Sequence, residues 1–288
     1  MTTATRSISE RRISFRRPTI AGALGTLLVL GSVGTAFLGP IFRPHDPNEI
    51  VGASNLTPNE AFPLGTDEIG RDLFSRVLSG GIDVVLIAFL ATVVAFVLGA
   101  VLGMASGYIQ GRFDVVVTRS VDVLIALPPL LLAIVFISGF GSALHVLVLV
   151  TSAFFVPRII RIVRGVTVPV VSTDYVKASR LRGLSTAEIL WRDVVPNIAA
   201  ILIVEFAARL GSVIMFVATL NFLGLGANPP AANWGLMVSE TLHMLRTNPA
   251  APLAATALIA ALTVGVSLLA DEFAARLATN KPTGRNAS

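Results

Sequence analysis

What most constrains this chain is a recurrence of apolar windows, each about 20 residues long and able to cross roughly 30 Å of hydrocarbon. We read them at 20–38, 84–106, 116–139, 142–160, 198–222 and 252–270. The expected fold class is all-α, a polytopic membrane protein with about six transmembrane helices. The chain must turn sharply over 139–142, with His145 just beyond, so a re-entrant hairpin competes with separate third and fourth spans. Composition points the same way. At 54% hydrophobic and 14% charged residues, with a mean hydropathy of +0.79, the chain is too apolar for an ordinary soluble domain.

The net charge of +5 and pI near 10.6 could suggest nucleic acid, but the placement of the charges suggests a membrane orientation instead. Arg6, Arg11, Arg12, Arg16 and Arg17 precede the first window. If that end is cytoplasmic and the spans alternate, only Arg43, Arg71, Arg76 and Arg246 fall outside, with Arg209 inside a span. This positive-inside bias predicts both termini in the cytoplasm. The first window is too long for a signal-peptide core and lacks a clear cleavage site, so it reads as an uncleaved helix. The domains expected are a cytoplasmic segment 1–17, a transmembrane domain 18–278 and a cytoplasmic tail 279–288. Outer loops would occupy 40–81 and 224–251. In the first, 67–78 could form an amphipathic helix with Ile69, Leu73 and Val77 on one side. In the second, Trp234 would suit the lipid–water interface. An inner turn at 107–114 carries two glycines.

One polar segment interrupts this pattern, DYVKASRLRGLSTAEILWRDVVPN at 174–197, within a loop taken as 173–197. Thr173 is a candidate N-cap, and Asp174 places negative charge in the first helical turn. Ser185 and Glu188 match a capping box, and Pro196 suits the first turn of the next span. Two short helices around Gly183 are expected. They could grip a soluble partner or rest on lipid as an interfacial hairpin.

These residues resemble the cytoplasmic EAA loop of binding-protein-dependent ABC transporter permeases, the loop that in that family docks on the ATPase subunit. The motif's first three positions fall on Lys177, Ala178 and Ser179, its glycine on Gly183 and its closing proline on Pro196. Lys177 stands where the family has an acid and, with Arg180 and Arg182, implies an acidic matching face. Leu184 and Glu188 complete the coupling residues that the resemblance implies. Other stretches resemble the peptide and nickel subgroup. They are the outer-loop signature PLGTDEIGRD at 63–72, with Gly65, Thr66, Asp67, Gly70, Arg71 and Asp72; Asp122 with Pro128; and NFLGLG from Asn221. Asp193 and Val217 depart from the subgroup, which often has a histidine and an acid there. The resemblance implies a type I ABC importer permease of the bacterial cytoplasmic membrane. Its expected partners are a second homologous permease, two ATP-binding subunits and an extracytoplasmic substrate-binding protein. ATP and Mg would sit on the partner subunits, with no cofactor in this chain.

Glu205 and Arg209, four apart inside the fifth window, share a helical face and can pair. Either they line a path or they form a structural ion pair. Gly99, Gly103 and Gly107 permit close helix contact. No phosphate-binding Gly-x-x-x-x-Gly-Lys-Ser/Thr loop and no His-Glu-x-x-His pair occurs, cysteine is absent, and His45, His145 and His243 are dispersed. The expected function is therefore not enzymatic. The chain reads as a permease subunit moving peptides with ATP hydrolysed on other chains. Nickel or another small solute, or a non-transporting structural role, are the alternatives.

Overall fold

The computed structural model describes residues 19–279; the arginine-rich segment before it, and Lys281 and Arg285 after it, lie outside the described residues. Helix α1 (Ile20–Phe42) is capped by Thr19, whose hydroxyl accepts from the Gly22 amide at 3.2 Å. There follow α2 (Leu73–Ser79), α3 (Ile82–Ile109), α4 (Gly111–Ala126), α5 (Pro129–Phe140) and α6 (Leu144–Val171). Helices α7 (Asp174–Leu181), α8 (Thr186–Ile189), α9 (Val195–Phe222), α10 (Trp234–Thr241) and α11 (Ala250–Thr279) complete the chain. Among the described residues, β pairing is limited to two isolated bridges, Ile50 with Arg71 and Thr66 with Asp72.

Five helical stretches are long and apolar enough to cross a bilayer, and the pair α4–α5, bent by 87°, is the candidate sixth. Packing shows which way the bent pair runs. Gly99 lies against Ile159, Gly103 against Ile160 and Val163, and Gly107 against Thr167, so the facing residue advances along α6 as the glycine advances along α3. Helices α3 and α6 are therefore parallel, and 110–143 must return the chain to the opposite rim. The pair is a broken traverse rather than a hairpin that re-enters. Its break falls where Pro128 has no amide to donate and holds Leu127 in extended backbone at φ −78°, ψ 137°.

Small residues set the other contacts. A Cβ on Gly25 would lie 2.9 Å from Leu268, and Ser32 donates to the Leu258 carbonyl at 3.3 Å, which makes α1 and α11 antiparallel. Gly211 faces Ser267, and α9 runs antiparallel to α11 as well. One rim thus carries the start of α1, the turn at 110, the 172–194 segment and the end of α11; we call it the loop rim. The cap rim, opposite, carries 43–81, 141–143 and 223–249.

Several local expectations are corrected. The helix expected over 67–78 starts only at Leu73, because the Asp72 carboxylate accepts from the Phe74 and Ser75 amides and caps it there. Leu73 and Val77 are buried, but Ile69 belongs to the preceding turn and is exposed. The turn after α3 is made by Gln110 and Gly111, at φ +56° and +61°, while Gly107 is a packing residue inside the helix. Trp234 is wholly buried instead of interfacial, its indole N–H donating to the Val77 carbonyl at 2.7 Å. Glu272 bonds the Thr19 hydroxyl and Arg276 and so ties α11 to the start of α1, a contact between the two ends of the bundle that was not anticipated.

Candidate functional site

The loop rim presents the polar segment on a short, firmly stopped helix. Gly183 takes φ +78°, its amide donates to the Arg180 carbonyl at 3.0 Å, and the Leu184 amide donates to the Ser179 carbonyl at 3.3 Å. This double bond pattern with a left-handed glycine is a Schellman stop, and it ends α7. Thr173 occupies the N-cap position, but its hydroxyl donates back to the Val170 carbonyl at 2.6 Å and does not cap α7. Half of the expected capping box forms. The Ser185 hydroxyl accepts from the Glu188 amide at 3.3 Å, while the Glu188 carboxylate turns outward to Arg192 at 2.7 Å. The second short helix is also not separate. Helix α8 runs through a π-helical turn, Leu190–Val194, directly into α9, so that Thr186–Phe222 is one continuous stretch.

Four buried residues, Val176, Ser179, Ile189 and Val194, seat this segment on the bundle. Arg180 lies over the Tyr108 ring, 4.2 Å from its centroid, and donates to the Tyr108 carbonyl at 3.2 Å. Arg182 donates to the Ser179 hydroxyl at 2.8 Å. Lys177 pairs with Asp174 at 3.1 Å, Ala178 is exposed and Leu184 half-buried. Beyond these expected residues, Leu181 is 89% exposed and Trp191 is 74% exposed. Their exposure could not be read from the sequence, since it depends on which face of α7 and of the π-helical turn meets the bundle.

Between the rims lie three ion pairs. Glu205 and Arg209 approach to 2.7 Å on α9 with both side chains largely buried, although the guanidinium N–H is poorly aligned on the carboxylate. Asp122 on α4 meets Arg161 on α6 at 2.6 Å, both exposed. Asp114 on α4 takes two bonds from Arg164 on α6 and one from the Ser106 hydroxyl, clamping the first half of the broken traverse. The last two were missed because their partners lie far apart in sequence. Pro128 sits at the break itself. Asn221 is buried, accepts from the Ala227 amide and donates to the Val217 carbonyl, each at 2.9 Å, and so folds the end of α9 into the following loop.

At the cap rim the 63–72 signature folds upon itself and upon the second loop. Gly65 and Gly70 take φ +77° and +89°, and a Cβ on either would lie 2.1 Å from a carbonyl oxygen, of Leu56 or Gly52. The Thr66 hydroxyl bridges the Ala53 carbonyl and the Leu56 amide. Asp67 pairs with Arg71, and Arg71 lies 3.8 Å from Glu240. Arg76, wholly buried, donates to Glu240 at 2.9 Å and to the Pro47 and Pro230 carbonyls at 3.1 and 3.2 Å. Asn248 closes the cap by donating to the Leu64 carbonyl at 2.8 Å. Two loops that are separate in the sequence form one body.

Comparison with known proteins agrees with this architecture. Residues 95–279 match the model of the family described as binding-protein-dependent transport system inner membrane component. The chain is 35% identical over 228 residues to the glutathione transport system permease protein of Pectobacterium atrosepticum, covering 78% of this chain and 75% of that one. It is 37% identical over 227 residues to the di/tripeptide transport system permease protein of Pseudomonas aeruginosa, covering 76% and 75%. It is also 37% identical over 251 residues to a peptide transport system permease protein of Escherichia coli O6:H1, covering 84% and 85%.

Proposed function

Because the chain belongs to the family of binding-protein-dependent transport system inner membrane components, we propose that it is the permease subunit of an ATP-driven peptide importer. The glutathione, di/tripeptide and peptide systems named for its relatives support a peptide cargo over nickel or a purely structural role. In this reading a second, homologous permease encloses a path with this one. Two ATP-binding subunits supply ATP and Mg, and an extracytoplasmic binding protein delivers substrate at the cap rim.

The observation that carries the coupling role is the exposed apolar surface of the loop rim. Leu181 and Trp191 stand clear of a segment whose buried side is pinned by Val176, Ser179, Ile189 and Val194. Such a segment transmits force in both directions, since it is stiff toward the bundle and open toward a partner. A partner that changes shape with ATP shifts the membrane domain only as far as it binds the two conformations unequally. The continuity of α8 with α9 supplies a rigid route from that contact into the bundle. In this reading the loop rim and both chain termini face the cytoplasm, as the positive-inside bias of the sequence suggests.

Reconstitution of the full complex in proteoliposomes with ATP tests the substrate, comparing a labelled dipeptide with nickel. ATP-dependent nickel uptake without peptide uptake would sink the peptide reading. Orientation is tested separately by Lys177→Cys, a clean probe because the chain has no cysteine. In sealed cells that thiol is expected to resist impermeant reagents; labelling from outside reverses the topology.

A further inference from the structure

A single stripe of α6, Phe154, Arg158, Arg161 and Gly165, follows helical spacing along one face. Arg158, which the positive-inside count set with the cytoplasmic charges, instead falls near the middle of this 28-residue helix and is exposed. Arg161, on the next turn, is neutralised by Asp122. Arg158 has no ion-pair or hydrogen-bond partner among the described residues. An unpaired guanidinium at that depth does not face hydrocarbon, where its charge would be costly; it faces water or a ligand.

Two further features adjoin it. Phe154, one turn from Arg158 on the same stripe, lines an apolar cleft of about 310 Å³ in the elbow of the broken traverse, with Leu124, Leu132 and Phe136. Ala153, on the wall of that cleft, is exposed, and its carbonyl has lost its helical partner because Pro157 carries no amide. The cation, the carbonyl without its helical amide and the apolar cleft are spread over six residues, about 7.5 Å along the helix axis. A peptide C-terminus presents the complementary set at that scale: a carboxylate, an amide N–H and a side chain.

Resting on the peptide reading above, we infer that Arg158 binds the terminal carboxylate of the transported peptide, with the last side chain in the elbow cleft. A guanidinium fork grips a carboxylate with two parallel bonds, which orients as well as attracts it. The site discriminates free acids from blocked or amidated peptides within the membrane, downstream of the binding protein.

The experiment uses the assembled complex and its binding protein in proteoliposomes, with an apolar dipeptide and its C-terminal amide as probes. Arg158→Gln is expected to lower uptake of the free acid about tenfold or more, the effect of a hydrogen bond to a charged group. Uptake of the amide is expected to stay unchanged, and Arg158→Lys to retain part of the preference for the acid. The binding protein is the same in every arm, so its own selectivity cancels. Equal effects on acid and amide, or no effect on either, overturn the assignment. Loss of the second permease from the purified Arg158→Gln complex overturns it too, by placing Arg158 at the contact between permeases. If the unaltered complex moves neither peptide, this inference and the peptide reading fall together. If it moves both probes and only the acid preference ignores Arg158, the inference falls alone.

Discussion

At the cap rim Arg76 is wholly buried, with its donors on Glu240 and on backbone carbonyls from two loops, whereas at the loop rim Leu181 and Trp191 stand almost free. Both regions are polar in sequence and both lie between spans. The cap turns Asp67, Arg71, Asp72 and Arg76 inward and bonds them within the chain, as an autonomous body does. The loop rim keeps its polar anchors few and turns apolar side chains outward. A loop that is complete in itself serves as a lid or a landing surface, and one that is incomplete waits for a partner.

The largest effect is expected where the cap is most self-contained. Arg76→Gln leaves Glu240 without its closest charge and takes a donor from the buried Pro47 carbonyl, so thermal unfolding in detergent should show a loss of about 3–5 kcal/mol. A loss no greater than that of an exposed arginine would show that the cap is not held from within.

Glu205 and Arg209 form a second buried ion pair, on a single helix. A double-mutant cycle of Glu205→Gln and Arg209→Gln should give an interaction of about 0.5–3 kcal/mol in abundance or unfolding measurements. A value near zero would mean that the 2.7 Å contact, poorly aligned as it is, contributes nothing.

Gly183→Ala probes the loop rim's backbone. The left-handed conformation at φ +78° should cost about 1–2 kcal/mol locally, because a Cβ crowds the following carbonyl there. No neighbouring atom obstructs the added methyl, so the bundle should remain folded while substrate-stimulated ATPase activity of the complex falls. Normal stimulation would remove α7 from the coupling route.

The smallest effect on stability, within about 0.5 kcal/mol, is expected for Trp191→Ala, since little of the ring touches its own chain. Affinity for the ATP-binding subunits, measured by pull-down at graded concentration, should nonetheless drop. A destabilised chain with intact ATPase binding would invert the contrast between the two rims.

Legibility followed the range of the interactions. Apolar windows, the Gly183 stop and the Ser185 cap are set by residues within a turn or two of one another, and the sequence carried them. It carried the i,i+4 pairing of Glu205 with Arg209 as well. The break at Pro128, inside the window read as one span over 116–139, was not foreseen. The Asp114–Arg164 clamp, the Asp122–Arg161 pair and the Thr19–Glu272 tie join distant segments and depend on which helices become neighbours. Burial of Trp234 likewise required two outer loops to meet, and only packing reveals that. The exposure of Trp191 required knowing the helical phase of the turn that carries it.

That phase has a consequence of its own. A π-helical turn holds one residue more than the α-helical path would, so Leu190–Val194 advances the following helix by about 100° relative to an uninterrupted α-helix. It works as a coupling between two shafts set at different angles: Trp191 can point outward while α9 keeps Ile198 against the core. Deleting one residue within 190–194 would leave every neighbouring side chain in place by name and turn the contact surface by more than a quarter circle. Between the loop and its span, substitutions are therefore forgiven more readily than changes in length.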